Sequence, residues 1–176
     1  MRKPLVLSLA AVMTAGVGAL IPATANAADT GVTFTLSGGS LTITAPASAT
    51  LTGSTVAVGG TSVSGSLGNT TVTDARGALT HTDTVTMSTT DFSDGTSTIS
   101  KSNATGYSGA SVPTGVAVAV PTLTGQSIGG AGGATILTLT GVVGSASTSY
   151  NPTVSVTIPG SSIAGNYSGT VTQTVA

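Results

Sequence analysis

Residues Tyr150–Val175 read YNPTVSVTIPGSSIAGNYSGTVTQTV. Val154, Val156 and Ile158 alternate with Thr153, Ser155 and Thr157. Beyond a loop framed by Pro159 and Gly165, Tyr167, Gly169, Val171 and Val175 alternate with Ser168, Thr170, Thr172 and Thr174. Successive side chains of a strand point to opposite faces, so each run has one apolar face and one hydroxyl face. The two runs predict a half-buried antiparallel hairpin, with Ile163 tucked back as an apolar anchor in its loop. A hairpin alone is marginal in water, so strands upstream must cover its apolar face.

Those upstream strands are written in the same alphabet. Val32, Phe34 and Leu36 share one face of a strand over Gly31–Leu36. Ser37-Gly38-Gly39 reads as a tight turn, and Leu41, Ile43 and Ala45 continue the apolar face until Pro46 stops it. Leu51–Val58 is a weaker strand ending at Gly59-Gly60. Ser62–Leu67 turns Val63, Gly65 and Leu67 to one side, and Gly68-Asn69 leads into Thr70–Thr73. Asp74-Ala75-Arg76-Gly77 has the composition of a type I turn, with Asp first and Gly fourth. Thr82–Ser88 returns with Val85 and Met87 inward. Asp91–Gly115 is rich in Ser, Gly and Asn and reads as loop, with a short strand at Thr96–Ser100. Val116, Val118 and Val120 form a strand before Pro121. Gly129–Gly133 is expected to be a mobile loop, and Ala134–Val143 is a strong strand. No segment sustains a helical period. About eight to ten short strands with turns between them predict an all-β, antiparallel β-sandwich.

The start of the chain is an address. Arg2 and Lys3 precede the uncharged apolar run Leu5–Ile21, and Ala25-Asn26-Ala27 is a small-x-small cleavage site. This three-part pattern predicts a secretory signal peptide over residues 1–27, cut after Ala27, and one domain over residues 28–176. Cleavage removes two of the four basic residues, leaving Arg76 and Lys101 against five Asp, a net charge of −3. So acidic a chain has no basic footprint for nucleic acid or for an anionic membrane, and no membrane span is expected after cleavage. With no Cys, disulfides and thiolate chemistry are excluded. Only 3% of the chain is aromatic and none of it is Trp, so the core must be aliphatic, with Phe34, Phe92 and the tyrosines as its few large fillers. Charged residues make up 5%, which leaves Ser and Thr to form the surface.

Few residues carry chemistry. His81 and Asp83, two apart on one strand face, have the types of a general base and its orienter. No Gly-x-Ser-x-Gly elbow supplies a nucleophile, and the pair reads as solvated polar residues at a strand's start. Asp91-Phe92-Ser93-Asp94-Gly95 offers carboxylates beside a Gly turn, as calcium would need, but lacks the spacing of an EF-hand loop. Capping of turns by Asp side chains is the alternative. Asp74 and Arg76 are expected to form a partly buried ion pair that fixes their turn. Sequons begin at Asn69, Asn103 and Asn166, as composition alone produces in so Thr/Ser-rich a chain. No residue is assigned to catalysis, to a cofactor or to a metal.

The series Ser40–Leu51, Thr71-Val72-Thr73-Asp74-Ala75-Arg76-Gly77, Thr90-Asp91-Phe92 and the closing Asn151–Ala176 resembles the WxL-domain-like secreted surface proteins of Gram-positive bacteria, particularly the actinobacterial branch. The resemblance spans nearly the whole chain after the leader and implies an Ig-like β-sandwich displayed at the cell surface. Family members with true Trp-x-Leu motifs are implicated in non-covalent cell-wall attachment. This chain has no Trp, and His81–Asp83 stands where relatives place one. The expected function is a non-catalytic, secreted structural or adhesive protein, extracellular or cell-wall associated and held non-covalently to the envelope. Its partners would be other surface proteins, itself or cell-wall polysaccharide. A glycan-binding module is the alternative, for which only Tyr107, Tyr150 and Tyr167 could stack on sugar rings.

Overall fold

The computed structural model describes residues 31–53 and 61–176. The expected signal peptide and the end of the Leu51–Val58 strand lie outside the described residues. The chain divides into two units, residues 1–35 and 36–176, and every described strand belongs to the second. In chain order these are β1 (Leu41–Thr44), β2 (Thr52–Gly53), β3 (Thr61–Ser66), β4 (Thr70–Thr89), β5 (Phe92–Ser93), β6 (Thr98–Ile99), β7 (Ala104–Tyr107), β8 (Ser111–Pro121), β9 (Gln126–Ser127), β10 (Ala134–Tyr150), β11 (Thr153–Ile158) and β12 (Val171–Val175). One 3-10 turn, Lys101–Asn103, is the sole helical element among the described residues.

All pairings are antiparallel. One sheet runs β1-β4-β10-β8, with β12 added to β4 beyond the end of β1. The other runs β2-β3-β11-β7-β9, and β5 and β6 form a small hairpin of their own. The all-β sandwich expected from the sequence is what the chain builds. It has twelve described strands, of which β2, β5, β6 and β9 are two-residue pieces.

Period-two alternation places the core between the sheets. Val72, Val85 and Met87 of β4 and Leu137, Leu139 and Val142 of β10 face Ala104 of β7 and Val154 and Val156 of β11. Val85, Met87 and Leu137 are fully buried, each worth about 1.5–3 kcal/mol relative to exposure. Tyr150 and Phe92 join this aliphatic core. Thr84, Thr86, Thr138 and Thr140 occupy the alternate, solvent-side positions of β4 and β10.

Several local expectations are corrected. The runs at Tyr150–Val175 do not pair with each other: β11 lies in the second sheet beside β3 and β7, whereas β12 crosses to the first and pairs with β4. Period two fixes which face is apolar but not which neighbour it meets. Ile163, in the crossing segment, is exposed. Residues 31–40 form no strand, and Val32, Phe34 and Leu36 are exposed, so Phe34 is not a core filler. Gly39 instead donates its N–H to the Ala75 carbonyl at 2.8 Å, close enough that a Cβ would collide with Ala75. Glycine serves close approach there, not a reversing turn. Asp74–Gly77 is likewise no turn but part of the 20-residue β4. The short strand expected at Thr96–Ser100 is there as β6, but the rest of the expected loop Asp91–Gly115 also holds β5, β7 and the start of β8. Gly129–Gly133 forms a turn closed by Gly133 N–H to Gly130 O at 3.1 Å, packed at its two ends and exposed between them.

Candidate functional site

β4 bends sharply halfway along its length. Residues 70, 72, 74 and 76 face inward, Gly77–Thr80 are exposed, and from His81 the inward set becomes 81, 83, 85, 87 and 89. The phase shift comes from bulging. Asp74 pairs with Ala146 and Asp83 with Leu139, so nine steps on β4 match seven on β10. Positive φ at Gly77 (67°), Gly141 (63°) and Gly144 (70°) lets both strands turn the corner together, and Gly115 (90°) does the same on β8.

The corner folds two same-face pairs, Asp74/Arg76 and His81/Asp83, onto one another. Arg76 Nε donates to Asp74 Oδ1 at 3.0 Å and Nη2 to Asp74 Oδ2 at 3.0 Å, a two-pronged pair. Nη2 also donates to Asp83 Oδ1. The Arg76 backbone N–H adds a bond to Asp74 Oδ1 at 2.9 Å. His81 Nε2 lies 2.5 Å from Asp74 Oδ2 and 3.6 Å from Asp83 Oδ1, while Nδ1 lies 2.9 Å from the Leu79 carbonyl. Both carboxylates are buried, Asp83 at 1% exposure, and His81 and Arg76 close the cluster towards solvent. Asp83 Oδ2 is buried with no hydrogen-bond partner.

Hydrogen bonding by Arg76 holds the Asp74 carboxyl well below the usual carboxylate range, with His81 helping and burial opposing. The Leu79 carbonyl, then Asp74, raise the His81 imidazole above its ordinary value. Arg76 is held charged by Asp74 first and Asp83 second.

The expected Asp74–Arg76 ion pair therefore forms, within a strand corner and with two further members. His81 and Asp83 are not solvated polar residues at a strand's start, because the bend carries them into the cluster. Nor is Asp83 the main partner of His81: Asp74 lies closer. The sequence signal was two polar pairs at period two, and the bend that joins them is what period two alone does not reveal.

The Asp91–Asp94 segment is built by capping. Asp94 Oδ1 accepts from Thr96 N–H at 2.8 Å and Ser97 N–H at 2.6 Å, and Asp91 Oδ1 accepts from Lys101 N–H at 2.8 Å. Those bonds hold Asp94 below its ordinary pKa. The carboxylates serve two different turns.

Two surfaces remain. An open cleft of about 1040 Å³ is lined by aliphatic groups, among them Ile43, Leu51, Val63 and Ile158, and by polar ones, among them Ser48, Thr50, Asn166 and Gln173, with Tyr167 at its side. The second is the edge strand β8. Its inward residues are Ala117 and Ala119, and its outward ones are Val116, Val118 and Val120, at 61, 63 and 55% exposure. Val143 of β10, paired with Val116, is also exposed. Ser111–Pro121 carries no charge. None of the tyrosines stands fully exposed: Tyr150 is buried and Tyr107 and Tyr167 are half-buried. No protein-family model, curated protein or solved structure matches this chain.

Proposed function

We propose that the chain is a non-catalytic, exported structural or adhesive protein of the cell surface that associates through the β8 edge with further copies of itself. The observation carrying this reading is the uncharged edge strand with its outward valines. Soluble proteins protect such edges with charge, proline or bulges. Here Pro113 and Gly115 lie in the first half of the strand and Pro121 at its end, but Val116–Val120 between them is bare. A second copy is the occupant that suits it. Antiparallel pairing of β8 with β8 about a twofold axis sets valine beside valine and brings no like charges together. The leader-like N-terminus and the resemblance to WxL-domain-like surface proteins supply the setting. The polysaccharide alternative has less support, since no tyrosine stands fully exposed.

Sedimentation velocity tests the reading. The wild type is expected to shift from monomer to dimer or larger species with rising concentration. Val118→Lys, on the solvent side of an intact strand, is expected to stay monomeric. A wild type that remains monomeric throughout would refute association through this edge.

A further inference from the structure

We propose that Asp74, His81 and Asp83 form a binding site for a divalent cation of the zinc type, held at the bend of β4. Its three donor side chains offer one ligand atom each within 4.8 Å of one another. Ligands around tetrahedral zinc at about 2.0–2.1 Å stand about 3.3 Å apart, so the widest separation must close by about 1.5 Å while His81 Nε2 and Asp74 Oδ2, 2.5 Å apart, open by nearly one. Imidazole with two carboxylates suits a borderline ion. Calcium, which takes six to eight oxygens, is poorly served by two carboxylates.

The donor chemistry requires a positive centre at this point. The Leu79 carbonyl can only accept, so His81 Nδ1 carries its hydrogen and the Nε2 lone pair is left facing Asp74 Oδ2 and Asp83 Oδ1. Carboxylate oxygens also only accept. Either a proton or a metal ion must stand between them. A carbonyl that fixes the distal ring N–H is also the usual support of a metal-bound histidine.

A second observation favours the metal. Asp83 Oδ2 is buried and has no hydrogen-bond partner, a costly state for a carboxylate oxygen. A proton on Nε2 already has Asp74 as its acceptor, and leaves Asp83 Oδ2 unsatisfied. A cation held by Asp74 Oδ2, His81 Nε2 and the Asp83 carboxylate, whose Oδ1 lies 3.6 Å from Nε2, gives that carboxylate a further partner. Arg76 then keeps its bonds to Asp74 Oδ1 and Asp83 Oδ1, shares Asp74 Oδ2 with the cation through Nη2, and acts as a positioning residue that holds both carboxylates and offsets one of their charges. The half-buried His81 leaves the cation a way in and a fourth position for water.

The test uses the full-length chain, stripped with EDTA and then titrated with Co²⁺ and separately with Zn²⁺. One equivalent of Co²⁺ is expected to give visible d–d bands of four-coordinate intensity, which Zn²⁺ quenches, and Zn²⁺ is expected to raise Tm. Asp83→Asn and His81→Gln each remove a ligand and are expected to lower affinity by more than about a hundredfold, beyond what loss of an outer-shell partner costs. His81→Gln lies at the rim and keeps the fold testable should Asp83→Asn misfold. Asp91→Asn, outside the cluster, should bind as the wild type does. Absence of Co²⁺ bands and of a Zn²⁺-dependent Tm shift at millimolar metal would overturn the proposal. So would wild-type affinity in a folded His81→Gln variant.

Discussion

His81 Nε2 and Asp74 Oδ2 lie 2.5 Å apart although seven residues separate them on a single strand. An unbent strand would hold them more than 20 Å apart, at about 3.3 Å per residue. Their contact thus measures the corner in β4, and the stability of that corner depends on the charge of both groups.

A pH profile follows for the metal-free protein. His81 has a folded pKa raised above its ordinary 6.5, so its contribution is fully present below that value and is lost as pH rises through the folded pKa. Asp74 has a folded pKa depressed below its ordinary 3.8, so its contribution is present above that value and is lost as pH falls towards the folded pKa. Urea midpoints in EDTA should peak between these limits and decline on the alkaline side. His81→Gln should flatten the alkaline arm alone. Midpoints that climb from pH 6 to pH 8 in the wild type would contradict the assignment.

Arg76 holds two buried carboxylates at once, so Arg76→Ala leaves Asp74 and Asp83 facing each other without their shared cation. Tm should fall, and the acid limb of the profile should move to higher pH. Lys101→Ala, at an exposed position, should leave both unchanged. Equal Tm values for the two variants, by differential scanning calorimetry, would remove the structural role of Arg76.

Burial separates the two apolar sets of the first sheet. Met87 is fully buried, and Met87→Ala should cost about 2–5 kcal/mol. Val118 points to solvent, and Val118→Ala should stay within about 0.5 kcal/mol in dilute solution. Denaturant midpoints at low protein concentration compare them directly. A large loss at Val118 would mean that its face is covered within one chain.

The glycine turn gives a sharper contrast. A Cβ at Gly129 would overlap the Lys101 carbonyl, whereas a Cβ at Gly130 meets nothing within 4 Å. Gly129→Ala should therefore destabilise clearly, and Gly130→Ala should be neutral to slightly stabilising through the unfolded chain. Thermal melts of the two single variants decide it, and similar losses in both would show that the turn tolerates no side chain for some other reason.

These positions also mark how far the sequence could be read. Alternation at Thr82–Ser88 placed Val85 and Met87 in the core, because a two-residue period needs no knowledge of neighbours. Partner choice needs that knowledge, so the closing pair of strands read as a hairpin although β11 and β12 belong to different sheets. The glycines at 77, 115, 141 and 144 read as turn residues or went unremarked, because a bulge and a turn demand the same positive φ. Without that shared corner, Asp74/Arg76 and His81/Asp83 remained two unrelated pairs. The outward aim of Val116, Val118 and Val120 was hidden for a further reason: the small inward alanines between them carry the weaker hydrophobic signal.

Fractionation of the producing cells tests the surface role most directly. Culture medium, salt-washed cells and protein-stripped wall would each be probed for the chain, with Val118→Lys beside the wild type. The wild type is expected to be retained on intact cells, Val118→Lys to lose that retention, and neither to bind stripped wall. Recovery of the wild type in the medium alone, or on stripped wall to the same extent as Val118→Lys, would contradict that role.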